Sequence, residues 1–366
     1  MNNSKPDAKQ YAVIRRKFWV AETVGQFIFL ILLCFLPAAR HWAFWVEASI
    51  SHPAAQVAVY AAPLWLIWTA LSLPLDWVRG YRLEHRFGLS NQSAQSWVTD
   101  YLKGFFLSAA FGLIMLESLV GLLRWKPDSW WIWAAGAWLL WAVVLSRILP
   151  TLLIPIFYKQ TPLQGPLCER LEKMLKQCGT RVNGFFEINL SRTTKKANAC
   201  LCGMGKSRRV LISDTLLAAY PPEEIETVLA HEVGHQKLGH IRLLTLLSTA
   251  ASAASFFLIN LLLHRLMVQQ SIPRLDHLAI LPWLALGLTV ADFMLMPFLH
   301  GISRRFETDA DRFALTQTKN PDAFISTMKR LGEQNLAELQ PPAWVEWLLY
   351  DHPSLARRIK MAENSK

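Results

Sequence analysis

The sequence predicts a mostly α polytopic membrane protein interrupted by a small α+β domain, and three observations carry that prediction. Hydrophobic residues make up 52% of the 366, charged residues only 18%, and the mean hydropathy is +0.22, too apolar a mix for an ordinary soluble domain. Apolar stretches long enough to span a bilayer, about 20 residues each, recur along the chain. Among them lies one long polar segment, Tyr158–Arg242, rich in lysine, arginine and strand formers.

Taken in order, about six candidate spans are Phe18–Pro37, Val57–Trp77, Gly104–Leu123, Trp130–Leu149, Leu243–His264 and Leu278–Leu299. Arg15, Arg16 and Lys17 before the first would suit a signal peptide, but its apolar run is long for that role and the flank PAAR is a poor cleavage site. Tryptophans crowd near span ends (Trp42, Trp45, Trp77, Trp125, Trp130, Trp131), where an aromatic belt would put them.

The net charge of +11 is accounted for by basic loops, so a lipid bilayer and not nucleic acid is the expected partner. Lys5, Lys9 and Arg15 to Lys17 precede the first span, and Arg79, Arg82, Arg86 and Lys103 bracket the second loop. The segments Lys159–Arg242 and Arg304 onward are also basic, which predicts both termini and the long segment in the cytoplasm. Glu22, Glu117 and Asp292 fall within spans. They are expected to face a water-filled chamber or to lie near helix ends, with an ion pathway as the alternative.

Cys34, Cys168, Cys178, Cys200 and Cys202 form an odd, scattered set without a CxxC pair. That set indicates neither a disulfide framework nor a thiolate zinc site, and it fits a reducing compartment. Cys200 and Cys202 alternate within KANACLCGMG and belong on one face of a strand.

Inside the polar segment, CERLEKMLKQCG repeats apolar positions at helical spacing and ends at Gly179. GFFEINLS and NACLCGMGKSRRVLIS read as a small antiparallel sheet. Pro221 and Pro222 followed by Glu223 and Glu224 make a helix start, with acids at the positive end of the dipole.

That helix carries LAHEVGHQKLGH. His231 and His235 are four residues apart and point from one face, so two imidazoles can share a zinc ion at about 2.0–2.1 Å. Glu232 sits beside the first histidine, where the general base of a zinc hydrolase must be. Catalytic zinc wants a third protein ligand. His240 follows the second histidine by five residues, whereas the three-histidine protease pattern needs six, so His240 reads as structural or membrane-interfacial at the end of the helix. SRRFETDADRFA is the better source: Glu307 would complete a His/His/Glu site, and Asp311, one turn on, would fix a histidine tautomer. On spacing alone, an ordinary solvated helix face accounts for that pair equally well.

HEVGHQKLGH, SRRFETDADRFA and DHPSLARRI together resemble the integral-membrane zinc proteases of the CAAX prenyl protease type 1 family. The similarity extends to GYRLEHRFGLSNQSAQSWVTDYLK, LPTLLIPIFYKQTPL and KANACLCGMGKSRRVLISDTLL, so it covers the chain from Gly80 to the end. The resemblance implies one zinc per chain held by His231, His235 and Glu307, with Glu232 as catalytic base and Asp311 as supporting carboxylate. It implies that the strand around Asn198 and Ala199 pairs with the substrate backbone, and that His352 and Arg358 hold the substrate carbonyl and brace the site. It further implies a ring of membrane helices around a chamber, with a gluzincin-type domain at its cytosolic end.

The expected organisation is a four-span membrane region over 1–158, a zinc protease domain over 159–242, a two-span hairpin over 243–300, and the third-ligand helix with the rest of the protease domain over 301–366. About three spans precede the counterpart of the long helix entering the domain, fewer than in eukaryotic relatives, and the compact length resembles bacterial members. The expected activity is endopeptidase cleavage of membrane-associated or apolar protein substrates in a bacterial inner membrane. A heat-shock-type quality-control protease is the close alternative, although those relatives are shorter and lack RFGLSNQS. A non-catalytic scaffold or transporter is the distant one, and the intact Glu232 argues against it.

Overall fold

The computed structural model describes residues 7–366, so Lys5, one of the basic residues used for orientation, lies outside the described residues. The chain opens with α1 (Ala8–Phe35), capped by the Asp7 carboxylate, which accepts from the Lys9 and Gln10 N–H groups. A short helix α2 (Pro37–Ser49) follows, then α3 (Pro53–Trp77), which runs through a π turn at Val78–Arg82 into α4 (Leu83–Arg86). Next come α5 (Ala94–Trp125) and α6 (Trp130–Ile148), the latter continuing through a second π turn into α7 (Ile154–Phe157). Pro150 sits in that turn, where its missing N–H breaks the regular ladder.

The polar segment folds as β1 (Gln160–Pro162), α8 (Pro166–Gln177), β2 (Phe185–Ile188), β3 (Ala199–Cys202), β4 (Arg209–Ser213), α9 (Asp214–Ala219) and α10 (Pro222–Lys237). Two long helices, α11 (His240–Gln269) and α12 (Leu281–Thr318), form the hairpin, and α13 (Pro321–Gln334), α14 (Ala343–Leu349) and α15 (Leu355–Glu363) complete the chain.

Six helices among the described residues are long and apolar enough to cross a membrane: Ala8–Phe35, Pro53–Arg86, Ala94–Trp125, Trp130–Phe157, His240–Gln269 and Leu278–Thr318. Their outer faces expose Val24, Ile28, Leu66, Phe106 and Leu258, as lipid-facing surfaces do. Their inner faces share a core that includes Val57, Tyr60, Leu123, Leu263 and Leu284. A cavity of about 470 Å³ lies among α5, α6, α11 and α12, lined by apolar side chains together with Ser248, Ser252, Ser255 and Asp292. Of the three intramembrane acids, Asp292 faces this chamber, Glu22 pairs with Arg79 at 2.7 Å, and Glu117 borders a separate groove beside His52.

One expected belt tryptophan is misplaced. Trp130 is fully buried and its indole N–H donates to Asn260 Oδ1 at 2.7 Å, so it joins α6 to α11 rather than facing lipid.

The sheet has the order β1-β2-β4-β3. The expected all-antiparallel arrangement is corrected: β2 and β4 run parallel, while β1 with β2 and β3 with β4 are antiparallel. After β2 the chain crosses before laying down β3 at the edge, and β4 then turns back between them. Leu201, Val210 and Ile212 face a core shared with α8, α10, α13 and α15, which leaves Cys200 and Cys202 on the opposite face, as expected.

α12 is one continuous helix of 38 residues rather than a span followed by a separate helix. At 1.5 Å per residue it is about 57 Å long. A hydrocarbon core of about 30 Å leaves its last turns, with Glu307 and Asp311, outside the membrane.

Candidate metal centre and active site

α10 starts at Pro222 with Glu223 and Glu224 in its first turn, and it stops just after HEVGH because Gly239 adopts φ +73°. His240 is therefore the first residue of α11, not the end of the motif helix as expected. Gly234 lies inside the motif and faces α12. A Cβ there would sit 3.1 Å from Ala310 Cα and 3.2 Å from the Ala310 carbonyl oxygen, so the glycine sets how closely the two helices approach. That approach brings Glu307, one turn before Ala310, onto the two histidines.

The three side chains converge, with Glu307 turning a different carboxylate oxygen to each histidine. His231 Nε2 is 3.1 Å from His235 Nε2 and 3.2 Å from Glu307 Oε2, and His235 Nε2 is 3.2 Å from Glu307 Oε1. Tetrahedral ligands at about 2.0–2.1 Å from one zinc ion stand about 3.3 Å apart, so these spacings suit the ion. Glu307 is buried, and its Oε2 makes no hydrogen bond of acceptable geometry although ring nitrogens crowd it. A lone pair held that way suits a cation better than a proton donor. The residues present therefore fit a zinc ion, and the solvated-face reading of Glu307 and Asp311 is excluded by their burial.

Each histidine is oriented through its second nitrogen. Asp311 Oδ1 lies 2.8 Å from His231 Nδ1, and Arg358 clamps the same carboxylate through Nε at 2.7 Å and Nη2 at 2.6 Å. Burial disfavours the charged His231 ring, but the Asp311 carboxylate that its Nδ1–H meets and the Glu307 carboxylate beside its Nε2 outweigh it and raise its pKa to about 9. His235 finds a different partner: its Nδ1 is 3.2 Å from His240 Nδ1, and the His240 ring stacks on Phe306 at 4.3 Å. With Nε2 of His235 facing the cluster, its proton belongs on Nδ1 and His240 accepts it. Sequence reasoning missed this role, and its only trace was the third histidine in LAHEVGHQKLGH.

Glu232 stands between the cluster and the sheet, its Oε2 accepting from the Leu201 N–H at 3.4 Å. β3 is an edge strand, with one side free for another strand. Asn198 turns its backbone inward, its carbonyl accepting from the Ser213 N–H at 2.9 Å, so alternation leaves the groups of Ala199 and Leu201 on the open edge. Of the two expected substrate residues, Ala199 thus offers backbone and Asn198 an exposed side chain. Leu201 is a further edge position, with its carbonyl open but its N–H already donated to Glu232. His352 Nε2 is 3.1 Å from Glu307 Oε2, and its Nδ1 is 2.8 Å from Asp351. Against the cost of partial burial, Asp351 and Glu307 raise the His352 pKa.

Comparison with known proteins identifies the family. Residues 163–366 match the profile described as Peptidase family M48. The chain belongs to that family. Residues 5–159 match a second profile, the CAAX prenyl protease N-terminal region with five membrane helices. Across that stretch the described residues hold four helices of spanning length and the shorter α2. The uncharacterized metalloprotease YhfN of Bacillus subtilis (strain 168) is 28% identical over 98% of this chain and 85% of its own length. A CAAX prenyl protease 1 homolog of Oryza sativa subsp. japonica is 27% identical over 82% of this chain and 72% of its own. The crystal structure of S. mikatae Ste24p superposes with a TM-score of 0.86 at 22% identity, covering 97% of this chain and 88% of that one, which establishes the shared fold. This M48 peptidase is therefore a membrane-embedded metalloendopeptidase acting on peptide or protein substrates.

Proposed function

We propose that this M48 peptidase is a zinc endopeptidase in which His231, His235 and Glu307 hold the ion, Glu232 is the base, and the active site faces the cytoplasm. Residues 159–242 and 301–366 make the protease body, and 1–158 and 243–300 make the membrane ring. The convergence of Glu307 from α12 onto the α10 histidine pair, with Asp311 behind it, carries the reading. Bound there, zinc supplies Lewis acidity, polarising a scissile carbonyl and acidifying water.

The protein's own residues do the rest. The β3 edge, through the Ala199 backbone and the Leu201 carbonyl, receives an extended substrate strand, which sets the peptide plane beside Glu232. Glu232 takes the proton of the attacking water and returns it to the leaving amine. His352 donates to the oxyanion, a contribution of about 3 kcal/mol in comparable sites. Arg358 holds Asp311 and, through it, the tautomer of His231. Entry beside a chamber within the helix ring favours membrane-anchored or strongly apolar substrates in a bacterial inner membrane.

Glu232→Gln tests the reading. The amide is nearly isosteric but accepts no proton, so the variant is expected to keep its zinc and its thermal midpoint while peptide cleavage falls by at least about a hundredfold. Wild-type turnover by that variant sinks the assignment.

A further inference from the structure

A cavity of about 750 Å³ lies where α12, α14 and α15 meet, and its lining includes none of His231, His235, Glu307 or Glu232. Its size falls inside the range of about 300–1,000 Å³ typical of ligand pockets. Helix geometry places one wall at the lipid boundary. Val290, Met294 and Phe298 are exposed on α12 and recur at helical spacing, so one stripe of that helix faces lipid. Arg305 follows Phe298 by two turns, about 10 Å along the axis, and continues the stripe into the cavity. α14 is held at the same height, because Arg304 Nη1 donates to the carbonyls of Glu346, Trp347 and Tyr350 at 2.9, 3.2 and 2.6 Å. Trp344 and Trp347 are one turn apart and exposed on that short helix, as side chains at a headgroup layer are.

Positive charge in the cavity exceeds negative. Arg358 clamps Asp311, Arg312 pairs with Asp309 at 3.1 Å, and Arg357 reaches Glu346 at 3.4 Å. Those three pairs use every carboxylate on the lining. Among the described residues, Arg304 meets only backbone carbonyls, and Arg305, which is exposed, meets no carboxylate within ion-pair distance. Two guanidinium charges therefore stand uncompensated at the membrane end of the cavity. The plain alternative is a pair of solvated arginines flanking a span, drawn diffusely to any anionic surface. A walled cavity at headgroup height fits one net-negative headgroup instead, with its acyl chains lying along Phe298 and Met294.

We propose that this cavity binds the headgroup of one anionic phospholipid, with Arg305 as the recognising cation and Trp344 and Trp347 at the membrane shoulder of the site. The planar N–H fork of arginine matches a phosphate. A soluble phosphate ester presents the same group without acyl chains, and the experiment separates the two. The full-length protein in an uncharged detergent is titrated with phosphatidylglycerol or with phosphatidylcholine of matched chains. Native mass spectrometry reads the lipid retained, and thermal unfolding reads the stabilisation. Glycerol phosphate is the soluble arm.

Phosphatidylglycerol is expected to be retained about tenfold more strongly than phosphatidylcholine, the scale of one charge-assisted hydrogen-bonded pair, and to raise the thermal midpoint. Arg305→Gln should erase the difference while leaving the lipid-free midpoint unchanged, since the side chain it replaces is exposed. Lys17→Gln removes an exposed cation at the same end of the membrane ring but outside the cavity, and should leave the preference intact. Equal retention of the two lipids, or a preference that survives Arg305→Gln, overturns the proposal. So does an equal loss in Lys17→Gln, because the attraction is then diffuse surface charge. Glycerol phosphate that raises the midpoint as much as phosphatidylglycerol also overturns it, because the cavity then takes a soluble ester and needs no membrane.

Discussion

Asp311 is fully buried and accepts from His231 Nδ1 and from both Nε and Nη2 of Arg358. Replacing it by asparagine keeps the shape but removes the charge, which leaves the Arg358 guanidinium uncompensated. Breaking a buried pair in this way costs about 3–5 kcal/mol. Zinc affinity in Asp311→Asn should fall by about 10–100-fold, read by competition with a chelator, and the thermal midpoint should drop as well. Adding Arg358→Met should restore part of the midpoint and none of the affinity. Recovery of both would show that Asp311 serves only the ion pair. His240→Phe keeps the stack on Phe306 and removes the acceptor for His235, so it should weaken zinc by about tenfold with little change in midpoint. Unchanged affinity there would reduce His240 to packing. His231 and His235 were legible in the sequence because a spacing of four puts them on one helix face, and Glu232 because it adjoins the first of them. The role of His240 was not, since it depends on a left-handed turn at Gly239 that redirects the chain.

At the level of elements, the site is the place where α10 meets α12, and Gly234 sets their distance. A methyl group added there must push into the Ala310 backbone and Phe313 Cβ, both about 3.1–3.2 Å away. Overpacking of this kind costs about 1–3 kcal/mol, and here the displaced helix carries Glu307. Gly234→Ala should therefore lower the thermal midpoint and the zinc affinity together. Gly136→Ala on α6, where a Cβ meets nothing within 4 Å, should cost neither. A normal zinc affinity in Gly234→Ala would mean that the two ligand-bearing helices tolerate separation. The helices and strands were visible as apolar periodicity and turn signals, but their pairing was not. The parallel β2–β4 contact depends on where the crossing after β2 deposits β3, and strands of four or five residues carry no signal for that. Trp130 misled for a similar reason: a tryptophan at a span end suits either a lipid interface or a buried amide partner, and Asn260 lies 130 residues away.

The whole molecule imposes one constraint on topology that charge counting does not. α10 and the end of α12 both bring side chains to one His/His/Glu cluster, so the intervening hairpin of α11 and α12 must leave the site's side of the membrane and return to it. Basic residues then bear on the side: Arg192, Lys196, Arg208, Arg304 and Arg358 all lie in the protease body, and their sign is the ground on which it is proposed to face the cytoplasm. The hairpin loop should lie outside and the C-terminus inside. Ser271 is exposed in that loop, and Asn364 is exposed beyond α15. Single cysteines at these positions, in a chain with its five free cysteines replaced, report the two sides. A membrane-impermeant thiol reagent on intact cells, with any outer membrane permeabilised, should label Ser271→Cys and spare Asn364→Cys until the inner membrane is opened. The reverse pattern would place the metal cluster outside the cytoplasm. Labelling of both in intact cells would break the requirement that α11 and α12 cross as a pair, and with it the account of how Glu307 reaches His231 and His235.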